Sequence, residues 1–68
     1  MAVARVTEII AGSRESFDDA VQRGMRRANK TLKNVQGAWI DGQKVVCDKN
    51  GDIEEYRVTL KVTFIIED

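Results

Sequence analysis

The C-terminal part of the sequence constrains the fold most, because apolar and polar residues alternate there from Glu55 to Ile66, with Ile65 the one apolar residue among the polar positions. Strict alternation predicts a β-strand with one apolar face. The residues of that face are Tyr56, Val58, Leu60, Val62, Phe64 and Ile66. A continuous apolar ladder of this length must be covered by a second layer of the protein.

The middle of the chain predicts that covering layer. From Ser16 onward, apolar residues recur at steps of three and four, which places them on one stripe of a helix. They are Phe17, Ala20, Val21, Gly24, Met25, Ala28 and Leu32. Ser13 and Ser16 are both candidate N-caps, and Ser16 with Asp19 has the spacing of a capping box. Gly24 lies on the apolar stripe, where the absence of a side chain would permit close approach to a sheet.

Two further strands are predicted on either side of this helix. Val3 to Ala11 is rich in β-branched and apolar residues and ends at a Gly-Ser turn. After the region of Asn34, alternation returns and continues to Val46, with a bulge expected near Gly42. The stretch 48–52 contains Asn50-Gly51, which tolerates the positive φ angles of a two-residue hairpin loop.

These elements predict an α+β fold of order β-α-β-β, in which a three-stranded antiparallel sheet packs on one helix. With 68 residues, the chain forms a single predicted domain spanning 1–68. A domain of this size buries only about 60% of its unfolded surface, and the single cysteine, Cys47, cannot form an internal disulfide. Association of subunits is therefore the expected additional stabiliser.

The sheet face opposite the helix supports the same expectation of a homo-oligomer. It bears Trp39, Ile65 and threonines rather than a dense cover of charges. A two-layer unit also leaves strand edges open, and proteins that keep such edges usually do so in order to assemble.

Composition argues against several classes of partner. The chain has 11 basic and 11 acidic residues, so no net field attracts it to nucleic acid or to an anionic membrane. No segment approaches the roughly 18 apolar residues of a membrane span, and the first residues do not have the pattern of a signal peptide. We expect no nucleic-acid or membrane partner and a cytoplasmic location, with which a lone thiol agrees.

The sequence gives little support for catalysis. It contains no histidine, so Cys47 has no histidine to activate it as a nucleophile. The carboxylates form no recognisable catalytic pair. We therefore expect no enzymatic activity and assign no catalytic residue.

The sequence of the predicted hairpin matches the first part of a calcium-binding loop but not the rest of it. Asp48, Asn50 and Asp52 match the first three alternate oxygen ligands of such a loop. Ile53 then stands where the loop needs glycine, and Thr59 stands where it needs glutamate. The stretch is interpreted as a turn, and no residue is assigned to a metal.

In the order of its elements and in three stretches of sequence, the chain resembles the dodecin family. The stretches are Val6 to Ser13, Ser16 to Leu32 and Tyr56 to Glu67. The resemblance covers nearly the whole chain. It implies that subunits assemble into a hollow dodecamer and that a flavin, FMN or riboflavin, is held where subunits meet. Some members of the family resemble calcium-binding dodecins instead, so Ca²⁺ is the alternative ligand.

Two positions that contact flavin in the family are changed in this chain. By the resemblance, the stacking tryptophan falls at Gly37 and a glutamine that contacts the ring falls at Arg57. Trp39 lies on the same strand face as Gly37, about 7 Å further along, and is predicted either to stack on the ligand or to pack in a subunit interface. Arg57 is predicted either to bind a ligand phosphate or carboxylate or to form an ordinary surface ion pair with Glu55 or Asp41.

The predicted ligand site also includes Asp41 and Gln43, which share a face with Trp39 if the strand alternates regularly. An unbulged hairpin would place residue 44 beside Arg57, whereas a one-residue bulge would place Gln43 there and complete one polar patch. The predicted site is Gly37, Trp39, Asp41, Gln43 and Arg57. The predicted function is small-ligand binding and storage, with flavin as the leading ligand and a calcium-binding or purely structural assembly as the alternative.

Overall fold

The structure, a computed structural model, describes residues 3–66. Its elements are β1 (Val3–Ser13), α1 (Phe17–Thr31), β2 (Val35–Cys47) and β3 (Ile53–Ile66). Within this range the strands form one antiparallel sheet in the order β1-β3-β2, so the last strand lies in the centre. The helix packs mainly against β1 and β3. The β-α-β-β fold predicted from the sequence is confirmed.

The hydrophobic core lies between α1 and the central strand. Val58, Leu60 and Val62 of β3 are at most 1% exposed, as the alternation of that strand predicts. Ala20 and Ala28 cover them from the helix. Small residues on the helix allow it to lie close to the sheet. The core between the two layers is correspondingly thin. No helix among residues 3–66 has the length and hydrophobicity needed to cross a membrane.

Gly24 lies where the helix approaches the sheet most closely. A Cβ atom added to Gly24 would lie 2.7 Å from Leu60 Cδ1 and 2.9 Å from Ala11 Cβ. Both separations are shorter than a van der Waals contact. The close approach expected at this position is therefore confirmed.

The junction between β1 and α1 is built around the buried Ser13. Its Oγ accepts the backbone N–H of Glu15 at 2.9 Å and of Ser16 at 3.4 Å, and donates to Asp19 Oδ2 at 2.6 Å. Ser16 is the N-cap, because its Oγ accepts the N–H of Asp19 at 3.0 Å. Only this half of the predicted capping box forms, since the Asp19 carboxylate bonds to other partners.

The pKa of Asp19 is shifted by the hydrogen bonds at this junction. The hydrogen bond from Ser13, and then the hydrogen bond from Arg23 Nε at 2.6 Å, lower the pKa of Asp19 below its ordinary value. The same contact with Asp19 raises the pKa of Arg23. Both shifts are consequences of these contacts, which favour the ionised forms of Asp19 and Arg23 on the first turns of the helix.

The β2–β3 hairpin turns through residues 48–52, so the two-residue loop predicted from Asn50-Gly51 is wrong. Gly51 donates its N–H to the Asp48 carbonyl at 3.0 Å and has a φ of 86°. Asp48 N–H bonds to the Asp52 carbonyl at 2.9 Å. A turn followed by a left-handed glycine is the pattern of three-residue hairpin connections. The predicted antiparallel pairing of β2 with β3 is confirmed.

The pairing of β2 with β3 is interrupted at three places. Register shifts occur between Val35 and Gly37, between Ile40 and Gly42, and between Val46 and Cys47. The second shift leaves Asp41 as an extra residue in β2, close to the bulge predicted near Gly42. Because a bulge changes which residues face which side, this one determines the composition of the candidate site.

Candidate functional site

The candidate site lies on the sheet face opposite α1, which we call the outer face. It contains the β3 residues that alternate with the buried core ladder, together with their direct neighbours on β1 and β2. Written in the order β1–β3–β2, its rows are Val6–Thr63–Gly37, Glu8–Lys61–Trp39, Ile10–Thr59–Gly42 and Gly12–Arg57–Lys44. No element among residues 3–66 covers this face, because α1 lies on the other side.

Trp39 is the largest side chain on the outer face and remains 63% exposed. Its neighbours on the same face of β2 are Gly37 and Gly42. A Cβ atom added at either glycine would have no heavy atom within 4 Å. The space on both sides of the indole along β2 is therefore open. A flat ligand can approach the ring without displacing any side chain of this strand.

Asp41 remains next to Trp39 as the extra residue of the bulge. Its Oδ1 lies 3.6 Å from Lys61 Nζ, and Lys61 is the residue opposite Trp39 on β3. Both side chains are partly exposed, so the pair contributes little to stability. It does place a carboxylate, which can accept a hydrogen bond from a ligand, and an ammonium group, which can donate one, in the row of Trp39.

Arg57 lies two rows from Trp39 and is engaged with a carboxylate. Its guanidinium is ion-paired with Glu55, which is the ordinary surface alternative considered for this residue. Lys44 stands directly opposite Arg57 on β2. Two cations against one carboxylate leave an excess positive charge at this end of the outer face.

An open groove joins these cations to the row next to Trp39. It has a volume of about 290 Å³. Its lining residues are Ile10, Gly42, Gln43, Lys44, Arg57 and Thr59. An exposed isoleucine, a threonine hydroxyl and two cations make this groove suited to a small anionic group attached to a less polar body.

Gln43 is the predicted site residue for which the structure requires a correction. It pairs with Val58, whose side chain is buried under α1, so Gln43 belongs to the helix side of β2. Of the two alternatives for the hairpin, the pairing of residue 44 with Arg57 is confirmed and the pairing of Gln43 with Arg57 is wrong. The predicted face shared by Gln43 and Trp39 is also wrong. The cause is the extra residue Asp41, which reverses the alternation between Trp39 and Gln43. Gln43 borders the groove, and a role in ligand contact stays a prediction.

Several residues of the outer face were not assigned from the sequence. They are Ile10, Lys44, Thr59 and Lys61. Lys44 had been placed beside Arg57 by counting outward from the hairpin turn, but it was not assigned to the site. Ile10 comes from β1, and only the pairing of β1 with β3 brings it beside Thr59.

The carboxylates of the hairpin turn serve the backbone. Asp48 Oδ1 accepts the N–H of Asn50 at 2.8 Å and of Asp52 at 3.1 Å. Among residues 3–66, no group of three or more histidine, cysteine, aspartate or glutamate residues is arranged to hold a metal ion. Cys47 ends β2 as an exposed free thiol.

Comparison with known proteins gives the family of the chain. The family model described as Dodecin matches residues 3–67. The chain belongs to the dodecin family. Three solved structures agree with this assignment, and a comparison with curated protein sequences gives no match.

The solved structures come from three bacterial genera. A dodecin from Streptomyces davaonensis is 31% identical with a TM-score of 0.91, the match covering 98% of this chain and 97% of that chain. A single-substitution mutant of the Thermus thermophilus dodecin is 28% identical, with a TM-score of 0.91 and full coverage of both chains. The calcium dodecin of Mycobacterium tuberculosis, described as calcium-chelating, is 29% identical with a TM-score of 0.84, covering 96% and 91% of the two chains.

Membership of this family supports a role in binding and storing small ligands. Dodecins are ligand-binding proteins rather than enzymes, and the family suggests homo-oligomeric assembly. One of the matched structures is a calcium dodecin, so calcium is a ligand of at least one member of the family.

Proposed function

We propose that this dodecin stores a planar aromatic ligand, with flavin as the best candidate, stacked on Trp39 on the outer face of the sheet and enclosed between subunits. The observation that carries the proposal is the exposed indole of Trp39 with open space above Gly37 and Gly42 on either side. Stacking on an aromatic ring contributes about 0.5–1.5 kcal/mol beyond the burial of area.

The outer face supports a site between subunits rather than on one subunit. Val6, Ile10 and Trp39 are 46%, 71% and 63% exposed on it. An apolar surface of this kind on one face marks a place of association. A second subunit that covers the outer face would remove both sides of a stacked ring from water, and this burial of apolar area strengthens its binding.

The groove at Lys44 and Arg57 supports a phosphorylated flavin over an unphosphorylated one. Arg57 is four residues from Lys61, the partner of Trp39, so the two rows are about 13 Å apart along the strand. A ring stacked at Trp39 with its ribityl chain along the strand would direct a phosphate towards the two cations. The guanidinium fork matches phosphate oxygens in geometry and charge.

Titration with riboflavin and FMN tests the proposal. Trp39 is the single tryptophan of the sequence, so stacking should quench its fluorescence and that of the flavin. Trp39→Ala should weaken binding by roughly 1–3 kcal/mol, as for bases stacked on aromatic side chains, while Trp39→Phe should retain part of the affinity. Arg57→Ala should weaken FMN more than riboflavin, because only FMN presents a phosphate dianion.

Flavin is excluded as the ligand if neither compound changes the fluorescence at high micromolar concentration. Flavin absorbance in the purified protein gives an independent reading. Binding that is unchanged in Trp39→Ala would place the ligand elsewhere and would leave Trp39 as an interface residue.

Calcium binding is the second candidate function, favoured by the similarity to the calcium dodecin. Ca²⁺ takes six to eight oxygen ligands, and residues 3–66 of one chain provide no ready cluster. A calcium site would therefore combine ligands from more than one subunit. A melting temperature that rises with Ca²⁺ and falls with a chelator, in the absence of any flavin response, would favour this function.

A further inference from the structure

The distal part of the β2–β3 hairpin extends beyond the rest of the sheet. The last residue pair between β1 and β3 is Ser13 with Tyr56. Residues 46–55, which we call the arm, lie beyond this pair and consist of two strand ends and their turn. A two-stranded hairpin is at best marginally stable by itself in water. The arm therefore gains from packing against another surface.

The arm has a surface of defined chemistry. It contains the carboxylates of Asp48, Asp52, Glu54 and Glu55 and one ammonium group, that of Lys49. Its formal charge is thus −3, of which the charge of Glu55 is already paired with Arg57. Ile53 is 53% exposed, and Val45, at the base of the arm, is 40% exposed. The arm presents apolar side chains surrounded by negative charge.

A groove between β1 and α1 has an apolar floor and positively charged side chains, which complement the apolar and acidic arm. It lies along the open edge of β1 beside α1 and has a volume of about 520 Å³. Its floor includes the partly buried Ile9, Ala11 and Leu32. Arg23 and Arg27 stand on its helix side. Among residues 3–66, Arg27 takes part in no ion pair.

The charge of this groove is opposite to that of the arm. Two of its lining residues are cations, Arg23 and Arg27, and no acidic residue lines it. The two segments of opposite charge belong to different parts of one elongated subunit, which measures 52 × 19 × 15 Å.

We propose that the arm of one subunit docks in the β1–α1 groove of a neighbouring copy. The inference deepens the proposed assembly by naming the two surfaces that meet. Ile53 and Val45 would cover the apolar floor, and Asp52 and Glu54 would face the arginines of α1. The two surfaces differ, so the contact is heterologous, and its repetition forms a closed ring when the rotation permits.

Charge reversal tests the contact. Arg27→Glu and Glu54→Lys should each raise the apparent dissociation concentration of the oligomer about tenfold, equivalent to roughly 1.4 kcal/mol. The double variant should recover most of the loss, because it restores opposite charges across the contact. Lys33→Glu is the matched control, since it changes the charge by the same amount outside the groove lining. Mass is followed by sedimentation at low and high salt.

Cross-linking through the natural thiol provides a second reading. Cys47 lies on the arm and is exposed in the subunit. In Thr31→Cys, which places a thiol in the groove, a short bifunctional maleimide should link neighbouring subunits into a ladder of covalent oligomers. Asn29→Cys, which lies outside the groove lining, should give much less cross-linking.

The arm does not occupy the groove if both reversals behave like Lys33→Glu, or if Thr31→Cys cross-links no better than Asn29→Cys. In that case the protein would assemble through other surfaces, and flavin binding would be unaffected. A wild-type protein that stays monomeric would instead overturn the proposed assembly itself.

Discussion

Gly24 and Gly37 illustrate how one residue type serves two different purposes in this chain. At Gly24 the missing side chain makes room for Leu60 and Ala11, so the helix can lie on the sheet. At Gly37 the missing side chain leaves open space beside Trp39. The first glycine is required by the fold and the second by the proposed ligand site.

Gly24→Ala should destabilise the protein although alanine is the better helix former. Alanine gains roughly 1 kcal/mol over glycine within a helix, but overpacking a core costs about 1–3 kcal/mol. Since Ala11 Cβ is fixed to the backbone, we expect a net loss of about 1 kcal/mol in the free energy of unfolding. Urea denaturation at constant protein concentration measures it. Gly37→Ala is the control, expected to change stability by no more than about 0.5 kcal/mol; a more stable Gly24→Ala variant would contradict the close packing.

The candidate site was only partly predictable residue by residue. The exposed face of Trp39 followed from alternation, because Gly37 and Trp39 are two positions apart without a bulge between them. Gln43 was misplaced because Asp41 adds one residue to the strand. A bulge depends on pairing with the neighbouring strand, so the sequence of β2 alone indicates that one can occur near a glycine but not which residue it displaces.

At the scale of elements, β1 and α1 are joined through one buried hydroxyl. Ser13 bonds to two backbone N–H groups and to Asp19, so the direction of the chain into the helix depends on it. Both Ser13 and Ser16 were candidate N-caps from the sequence. Ser16 is the cap, and the role of Ser13 depends on its burial, which spacing alone does not predict.

The pKa of Asp19 should report the integrity of this junction. Ser13→Ala removes the hydrogen bond that lowers the pKa most, so the pKa of Asp19 should rise towards its ordinary value in a ¹³C NMR titration. A pKa lowered by folding adds stability at neutral pH that is lost as the pH falls through the folded pKa. The difference in unfolding free energy between wild type and Asp19→Asn should therefore shrink below about pH 3.8. An unchanged Asp19 pKa in Ser13→Ala would contradict the assigned cause.

The order of the elements was more predictable than their connections. The alternation of β3 and the helical stripe of α1 identify the covered faces, because both patterns extend over many residues. The hairpin loop depends on a few local hydrogen bonds, in which Asp48 supplies both a carbonyl and a carboxylate. These bonds convert the expected two-residue loop into a longer turn.

At the scale of the whole molecule, a single subunit leaves much of its sheet exposed to water. The outer face has no covering layer among residues 3–66, and α1 covers β1 and β3 more than β2. Ile40, on the helix side of β2, is consequently 54% exposed. The two edge strands, β1 and β2, also present unpaired edges within the described residues. A core of this size favours association of subunits through these surfaces.

Light scattering should therefore find a particle far larger than the 7.7-kDa chain, and a dodecamer would have a mass of about 92 kDa, twelve times that value. Because folding and association are then linked, the melting temperature should rise with protein concentration. A ligand enclosed between subunits should raise it further and should do so only in the assembled state. Trp39→Ala tests the effect of the ligand once its mass without ligand is known to equal that of the wild type, because Trp39 also lies on the apolar outer face. A monomeric mass at micromolar concentration, with a melting temperature independent of concentration, would show that one subunit tolerates its exposed sheet and that assembly is not required.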